Sequence, residues 1–224
     1  PVIQVFKKML TNPIILTIAG IEFCSGFLRQ AIMQWYRTFA KQTDSVLGFK
    51  DSWVYENWGL LLCCAGIMGG VFAGSISDHL FQSRRGPVAA ILYAVMLTCA
   101  VALIFLFDTP VVGWLVVFMS MAVIGVHGML SGTASMDFGG KKNVGVAVGI
   151  IDGFVYLGTA TMAFTYGMIL PEEELNEAGK IIGAATQPEN WIGWPIAMVP
   201  MALIGTLLAT RVWNAKPRGK AAAH

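Results

Sequence analysis

Charge is scarce in this sequence. Asp, Glu, Lys and Arg make up 12% of its 224 residues, about half the share found in an ordinary soluble domain. With apolar residues at 56%, too few polar side chains remain to cover a surface facing water. That excludes a soluble enzyme, and the same apolar excess excludes a disordered tail. The formal net charge is only +2, which gives no footing for nucleic acid or another polyanion partner. Cysteine is sparse too. Cys24, Cys63, Cys64 and Cys99 all fall in apolar runs and two of them are adjacent. They read as buried apolar residues, so neither a disulfide scaffold nor a zinc site is expected. No metal and no cofactor are expected.

Long apolar runs fill the sequence instead. A helix that crosses a bilayer needs ~20 mostly apolar residues. Six stretches qualify, at roughly 13–37, 53–76, 87–107, 111–135, 144–170 and 191–213. The first lacks the short apolar core and small-residue cleavage site of a signal peptide. The chain divides into a linker at 1–12, a six-helix transmembrane bundle at 13–213 and a tail at 214–224. Pro1 is not an initiator Met, so the sequence reads as a segment of something longer.

The basic residues sort by side. Lys7, Lys8, Arg84, Arg85, Lys141, Lys142, Arg211, Lys216, Arg218 and Lys220 fall at one set of span ends. Lys41, Lys50 and Lys180 fall at the other, among Asp44, Asp51, Asp108, Glu172, Glu173, Glu174, Glu177 and Glu189. Positive ends stay in the cytoplasm. The expectation is a multi-pass protein of the cell inner membrane with both ends of this segment cytoplasmic. Trp35, Trp53, Trp58, Trp191, Trp194 and Trp213 stand near span ends and read as interfacial anchors. The acidic stretch 171–190 has room for a short surface helix.

Gly66, Gly70 and Gly74 recur every four residues in the second stretch, and Gly145, Gly149 and Gly153 do so in the fifth. Each set lies on one helix face, where another helix can approach closely. These are the middle members of two successive triplets, as a 3+3 inverted repeat gives. Ordinary membrane-helix packing is the plainer account of the same spacing.

Charges inside the membrane are costly and mark pathways or sites. Arg29 lies near mid-depth of the first stretch. Glu22 lies two turns earlier on about the same face. Either the two form an intramembrane ion pair, or Arg29 is the anion ligand of a water-filled site. Its planar fork suits phosphate, because it bonds two oxygens at once and stays charged. His127, midway along the fourth stretch, is a core histidine or a site residue. Asp152 and Tyr156, four apart, share a face of the fifth; Asp152 is a site residue or a partner for Arg29 or His127. Asp137, Lys141 and Lys142 read as solvated charges. An intramembrane serine protease is not supported. His127 and Ser131 lie four apart on one helix, and no second intramembrane histidine exists to serve as a separately held base. The protein is therefore not expected to be an enzyme.

Between the second and third stretches runs Gly74-Ser-Ile-Ser-Asp78-His-Leu-Phe-Gln-Ser-Arg84-Arg85-Gly86. It resembles the loop signature of the major facilitator superfamily, a helix-end Asp followed by loop arginines. Phe27-Leu28-Arg29-Gln30-Ala31-Ile32-Met33-Gln34-Trp35 resembles the start of the second half of organophosphate:phosphate antiporters. Lys141-Lys142-Asn143-Val144-Gly145-Val146-Ala147-Val148-Gly149, with Phe154-Val155-Tyr156-Leu157-Gly158, is similar to a further stretch of that branch, which includes glycerol-3-phosphate and hexose-phosphate transporters. The motifs occur in order and span nearly the whole chain.

The resemblance implies an all-α membrane protein, one C-terminal six-helix half of a twelve-helix fold. The whole exchanges a small organic phosphate or phosphonate, such as glycerol-3-phosphate, for inorganic phosphate by alternating access. Its partners are those phosphates, the lipid bilayer and the N-terminal half. Arg29 matches the second-half arginine that binds phosphate, and Tyr156 matches a cavity tyrosine. His127 stands where the glycerol-phosphate branch has a tyrosine. Asp152 replaces a small residue, and is expected to meet a cationic or hydroxyl group of the substrate. Asp78 with Arg84 and Arg85 would form the cytoplasmic gating latch. Two alternatives stay open: a proton-coupled organic anion transporter with Glu22 as proton carrier, and a phosphate-ester sensor without net transport.

Overall fold

The computed structural model describes residues 2–134, 137 and 140–216, with the backbone alone at 133 and 134. Among them six helices are long and apolar enough to cross a membrane. They are Pro13–Gln42, Trp58–Leu80, Arg85–Leu106, Val112–Gly132, Val144–Ile169 and Pro188–Arg211, here the first to sixth spans. The first starts where Asn12 Oδ1 accepts the backbone N–H of Ile14 at 2.9 Å, with Pro13 at the first helical position. Both devices satisfy or remove donors that a helix start leaves unpaired. The helix breaks at Gln34 and resumes as Trp35–Gln42, so the span runs past its expected end at 37. The second span starts at Trp58 and not at 53, because Ser52 caps a separate short helix, Trp53–Glu56.

The bundle is an inverted repeat by its own packing. The first span packs on the fifth and the second on the fourth; the first packs on the sixth and the third on the fourth. The third packs on the sixth and the first on the fourth. Exchanging the first, second and third spans for the fourth, fifth and sixth maps this set of contacts onto itself, as two triplets of opposite topology require.

Glycines make the close crossings, but not the expected ones. A Cβ at Gly26 would fall on the carbonyl oxygen of Val155, and one at Gly158 on that of Phe23. A Cβ at Gly69 would fall on the carbonyl oxygen of Met121, and Gly125 lies against Gly69 in return. The spaced glycines face elsewhere. Among the described residues nothing lies within 4 Å of a Cβ at Gly70, Gly74, Gly145, Gly149 or Gly153, and Gly66 meets only the Ile124 side chain. Those ridges therefore lie on the outside of the bundle.

Other expectations need correction. Trp191 and Trp194 are core residues, 1% and 0% exposed. Their indole N–H groups donate to the carbonyls of Ala185 and Ala31, and both rings pack against Phe39. Trp58 is buried as well, against Tyr36. A tryptophan with a backbone acceptor in reach loses nothing by burial. Trp53, exposed, stacks on Trp114 with centroids 5.9 Å apart. The stretch 171–190 holds no α-helix. It forms a two-stranded antiparallel hairpin, Glu174–Leu175 against Ile181–Ile182, then 3-10 turns. Cys63 and Cys64 lie exposed on the second span, not buried. The linker forms a helix, Val2–Leu10, that packs on the first and fifth spans. Arg218, Lys220 and most of the tail at 214–224 lie outside the described residues.

Candidate functional site

The first–fifth crossing builds the site. Gly26 and Gly158 bring the two backbones together, and Thr159 Oγ1 of the fifth span reaches the Gly26 carbonyl of the first at 3.4 Å. Arg29 lies one turn beyond Gly26, and Asp152 and Tyr156 flank Val155. Close approach of the helices therefore puts one guanidinium and one carboxylate on a shared wall. The fourth span supplies His127. Arg29, His127, Asp152, Val155 and Tyr156 line one cavity of about 90 Å³, on the face where Tyr156 is exposed.

Glu22 does not pair with Arg29. It is fully buried, and its Oε2 lies 2.6 Å from Nδ1 of His127. The first–fourth contact brings them together. The helix turn that carries Glu22 is tied to the third span: Tyr93 donates its hydroxyl to the neighbouring Ile21 carbonyl at 2.5 Å, and Gly205 leaves room for the Tyr93 ring. A carboxylate this deep is tolerable only with a bonded partner. Nδ1 is engaged behind the cavity wall, which leaves Nε2, on the opposite edge of the imidazole, as the nitrogen available to the cavity.

Asp152 pairs with neither Arg29 nor His127. Ser131 donates to its Oδ1 at 2.5 Å. Ser131 sits in a π-helical stretch, Gly128–Ala134, that widens the end of the fourth span. Such widened turns recur at functional sites and redirect side chains around the helix axis. Arg29 forms no ion pair within 4.0 Å among the described residues, and its buried Nε has no hydrogen-bond partner there. The second oxygen of Glu22 is likewise unpaired among them. The sequence had marked Arg29, His127, Asp152, Tyr156 and Glu22 singly. It missed Ser131 as the aspartate's partner and Tyr93 as a prop. It also missed Gly26 and Gly158, which belong to no spaced run.

A second charge cluster lies at the basic end. Arg85 Nη1 reaches Asp78 Oδ1 at 3.1 Å and Ser77 Oγ at 3.0 Å, and its Nε lies 3.6 Å from Asp137 Oδ2. Ser83 donates to Asp78 at 2.8 Å. Asp137, expected to be solvated, is thus a partner of Arg85 and ties the end of the fourth span to the second and third. Arg84 does not meet Asp78. It donates to the Phe81 carbonyl and to Asn214. Gln82 and Ser83 hold positive φ, 53° and 61°, an uncommon backbone for residues with a Cβ.

Comparison with known proteins places this geometry in a class. Over 223 residues, 98% of its length, the chain is 27% identical to the glycerol-3-phosphate transporter of Bacillus subtilis (strain 168), of which it covers 45%. Over 214 residues it is 28% identical to a probable hexose phosphate transport protein of Chlamydia pneumoniae and 24% identical to that of Chlamydia trachomatis, covering 42% of each. No family model matches. The chain spans about half the length of the curated relatives it matches. The class is therefore a six-helix half of a major facilitator fold, in a multi-pass membrane protein. Within that class the chain is similar to transporters named for glycerol-3-phosphate and hexose phosphate, and not to enzymes.

Proposed function

We propose that this chain is the C-terminal half of an inner-membrane transporter that exchanges a small organic phosphate or phosphonate for inorganic phosphate. Arg29 takes the phosphate, with His127 Nε2 beside it and Tyr156 and Asp152 on the adjoining helix. The N-terminal six-helix half closes the cavity from the side on which Tyr156 is exposed. The two halves rock about that site, so it opens to one side of the membrane at a time. The outward glycine ridges of the second and fifth spans are the surfaces along which the halves slide. The Asp78–Arg85–Asp137 cluster, at the cytoplasmic end, holds one closed state together. The observation that carries this reading is a mid-membrane arginine with no ion pair among the described residues, on a shared cavity wall, in a chain similar to named phosphate-ester transporters.

The test is uptake of labelled glycerol-3-phosphate into phosphate-loaded proteoliposomes that hold the full-length protein. Uptake should need internal phosphate. It should fall by about a hundredfold in Arg29→Lys, since the point charge of lysine cannot reproduce a two-oxygen grip. The Glu22–His127 hydrogen bond favours one second reading, a proton-coupled anion transporter in which that pair carries the proton. Uptake driven by a pH gradient and indifferent to internal phosphate would establish it and displace exchange.

A further inference from the structure

The cavity carries opposite charges that do not neutralise each other. Arg29 and Asp152 line the same 90 Å³ space from neighbouring helices. Among the described residues no ion pair within 4.0 Å joins them, and the only carboxylate–imidazole pair in the region is Glu22 with His127. At membrane depth two such charges attract strongly, because little solvent screens them. Left alone they would close on one another. They are held apart instead. Asp152 is drawn toward the fourth span by Ser131, through the widened turn at Gly128–Ala134. Arg29 keeps a buried Nε without a partner.

The overall charge of the site points the same way. Arg29 contributes a positive charge and Asp152 a negative one. Glu22 is bonded to His127 Nδ1 at 2.6 Å and is not among the groups that line the cavity. The lining is thus polarised, positive at Arg29 and negative at Asp152. A plain phosphate ester would satisfy the positive wall and leave a desolvated carboxylate facing it, which is costly. A molecule with a charge at each end would satisfy both walls.

We propose that the substrate is a small zwitterion, an aminoalkyl phosphate or phosphonate, with its phosphorus oxygens on Arg29 and His127 and its ammonium on Asp152. This deepens the transport reading above and rests on it. Ser131 is a positioning residue: it fixes Asp152 away from Arg29 and so keeps the two ends of the site separate.

The test compares equilibrium binding of three probes to the full-length purified protein: inorganic phosphate, ethylphosphonate and 2-aminoethylphosphonate. The last two differ only in the amino group. The wild type should bind 2-aminoethylphosphonate at least about tenfold more tightly than ethylphosphonate, a conservative share of what unpairing a buried charge costs. Asp152→Asn should abolish that ratio, chiefly by weakening 2-aminoethylphosphonate. Asp152→Glu should retain part of the ratio. Ser131→Ala should reduce it, because the freed carboxylate can swing toward Arg29.

Equal wild-type affinity for the two phosphonates overturns the proposal, and that measurement needs no variant to fold. So does an Asp152→Asn protein in which both phosphonates weaken together. If inorganic phosphate binds through Arg29 but the amino group gives no advantage, the zwitterion fails and the phosphate site stands. If phosphate binding does not depend on Arg29, the transport reading itself fails, and this proposal with it.

Discussion

Where the first span crosses the fifth, Gly26 and Gly158 let backbone meet backbone; where the fourth crosses the second, Gly125 and Gly69 do the same. The inverted repeat makes these one contact built twice. Yet the first crossing is flanked by Arg29, Asp152 and Tyr156, while the second has Ala65, Ala73, Ala122 and Val126 buried around it. The scaffold is symmetric and its chemistry is not. The repeat supplies two equally tight crossings, and polar residues have been placed at only one, where the cavity opens.

Substitution at the glycines breaks the comparison at its root and should have the largest effect. A leucine at Gly26 or Gly158 must displace the carbonyl of the facing helix, and overpacking of this kind costs about 3 kcal/mol or more. The same should hold at Gly69. Size-exclusion profiles in detergent and thermal unfolding should show all three variants failing alike. A Gly158→Leu protein with native melting would show that the crossing tolerates separation, and would remove the account of how Arg29 and Asp152 share a wall.

The next effect sharpens the difference between the crossings. His127→Leu strips from fully buried Glu22 the only bonded partner it has among the described residues, which should destabilise the protein by about 3 kcal/mol. The double change Glu22→Leu with His127→Leu should recover most of that loss, because an apolar replacement of a buried pair is often neutral. A thermal-unfolding double-mutant cycle reads the coupling directly. If the double variant is as unstable as the single one, the pair has a packing role that its hydrogen bond does not explain.

At the basic end, Arg85 is shared by Asp78 and Asp137 and is only 10% exposed. Asp137→Asn should cost about 1 kcal/mol, the upper end for a partly exposed ion pair. Asp78→Asn should cost a similar amount, since the two carboxylates hold the same guanidinium. No loss in Asp137→Asn would return that residue to the solvated role its sequence position suggested.

The sequence carried the spans well, because apolar length is a local signal, but its spaced glycines did not mark the crossings, which Gly26, Gly158, Gly69 and Gly125 make. It also marked the intramembrane charges, since Arg29, Glu22, His127 and Asp152 are conspicuous among apolar neighbours. It could not assign their partners. Glu22 seemed to face Arg29 because both lie on one helix, but the partner came from the fourth span, a contact fixed by tertiary packing. Ser131 was legible only as a failed protease serine, because a π-helical turn leaves no plain mark in composition. Trp191 and Trp194 misled for a related reason. A span-end tryptophan looks the same in sequence whether it meets lipid or the Ala185 and Ala31 carbonyls.

The glycine ridges give the smallest effect and the one most specific to the two-half reading. Gly70 and Gly149 have open space where a Cβ would go, so alanine there meets nothing within 4 Å among the described residues. Helix propensity then favours the change by about 0.5–1 kcal/mol, and thermal stability of the bundle should hold or rise slightly. If the ridges are the surfaces that meet the N-terminal half, the same alanines press on the partner helix, and exchange should slow by a fewfold while substrate affinity is kept. Gly26 and Gly158 would then be glycines that hold a half together, and Gly70 and Gly149 glycines that let two halves move. Unchanged exchange in both Gly70→Ala and Gly149→Ala would place those ridges against lipid and move the interface to another face of the bundle.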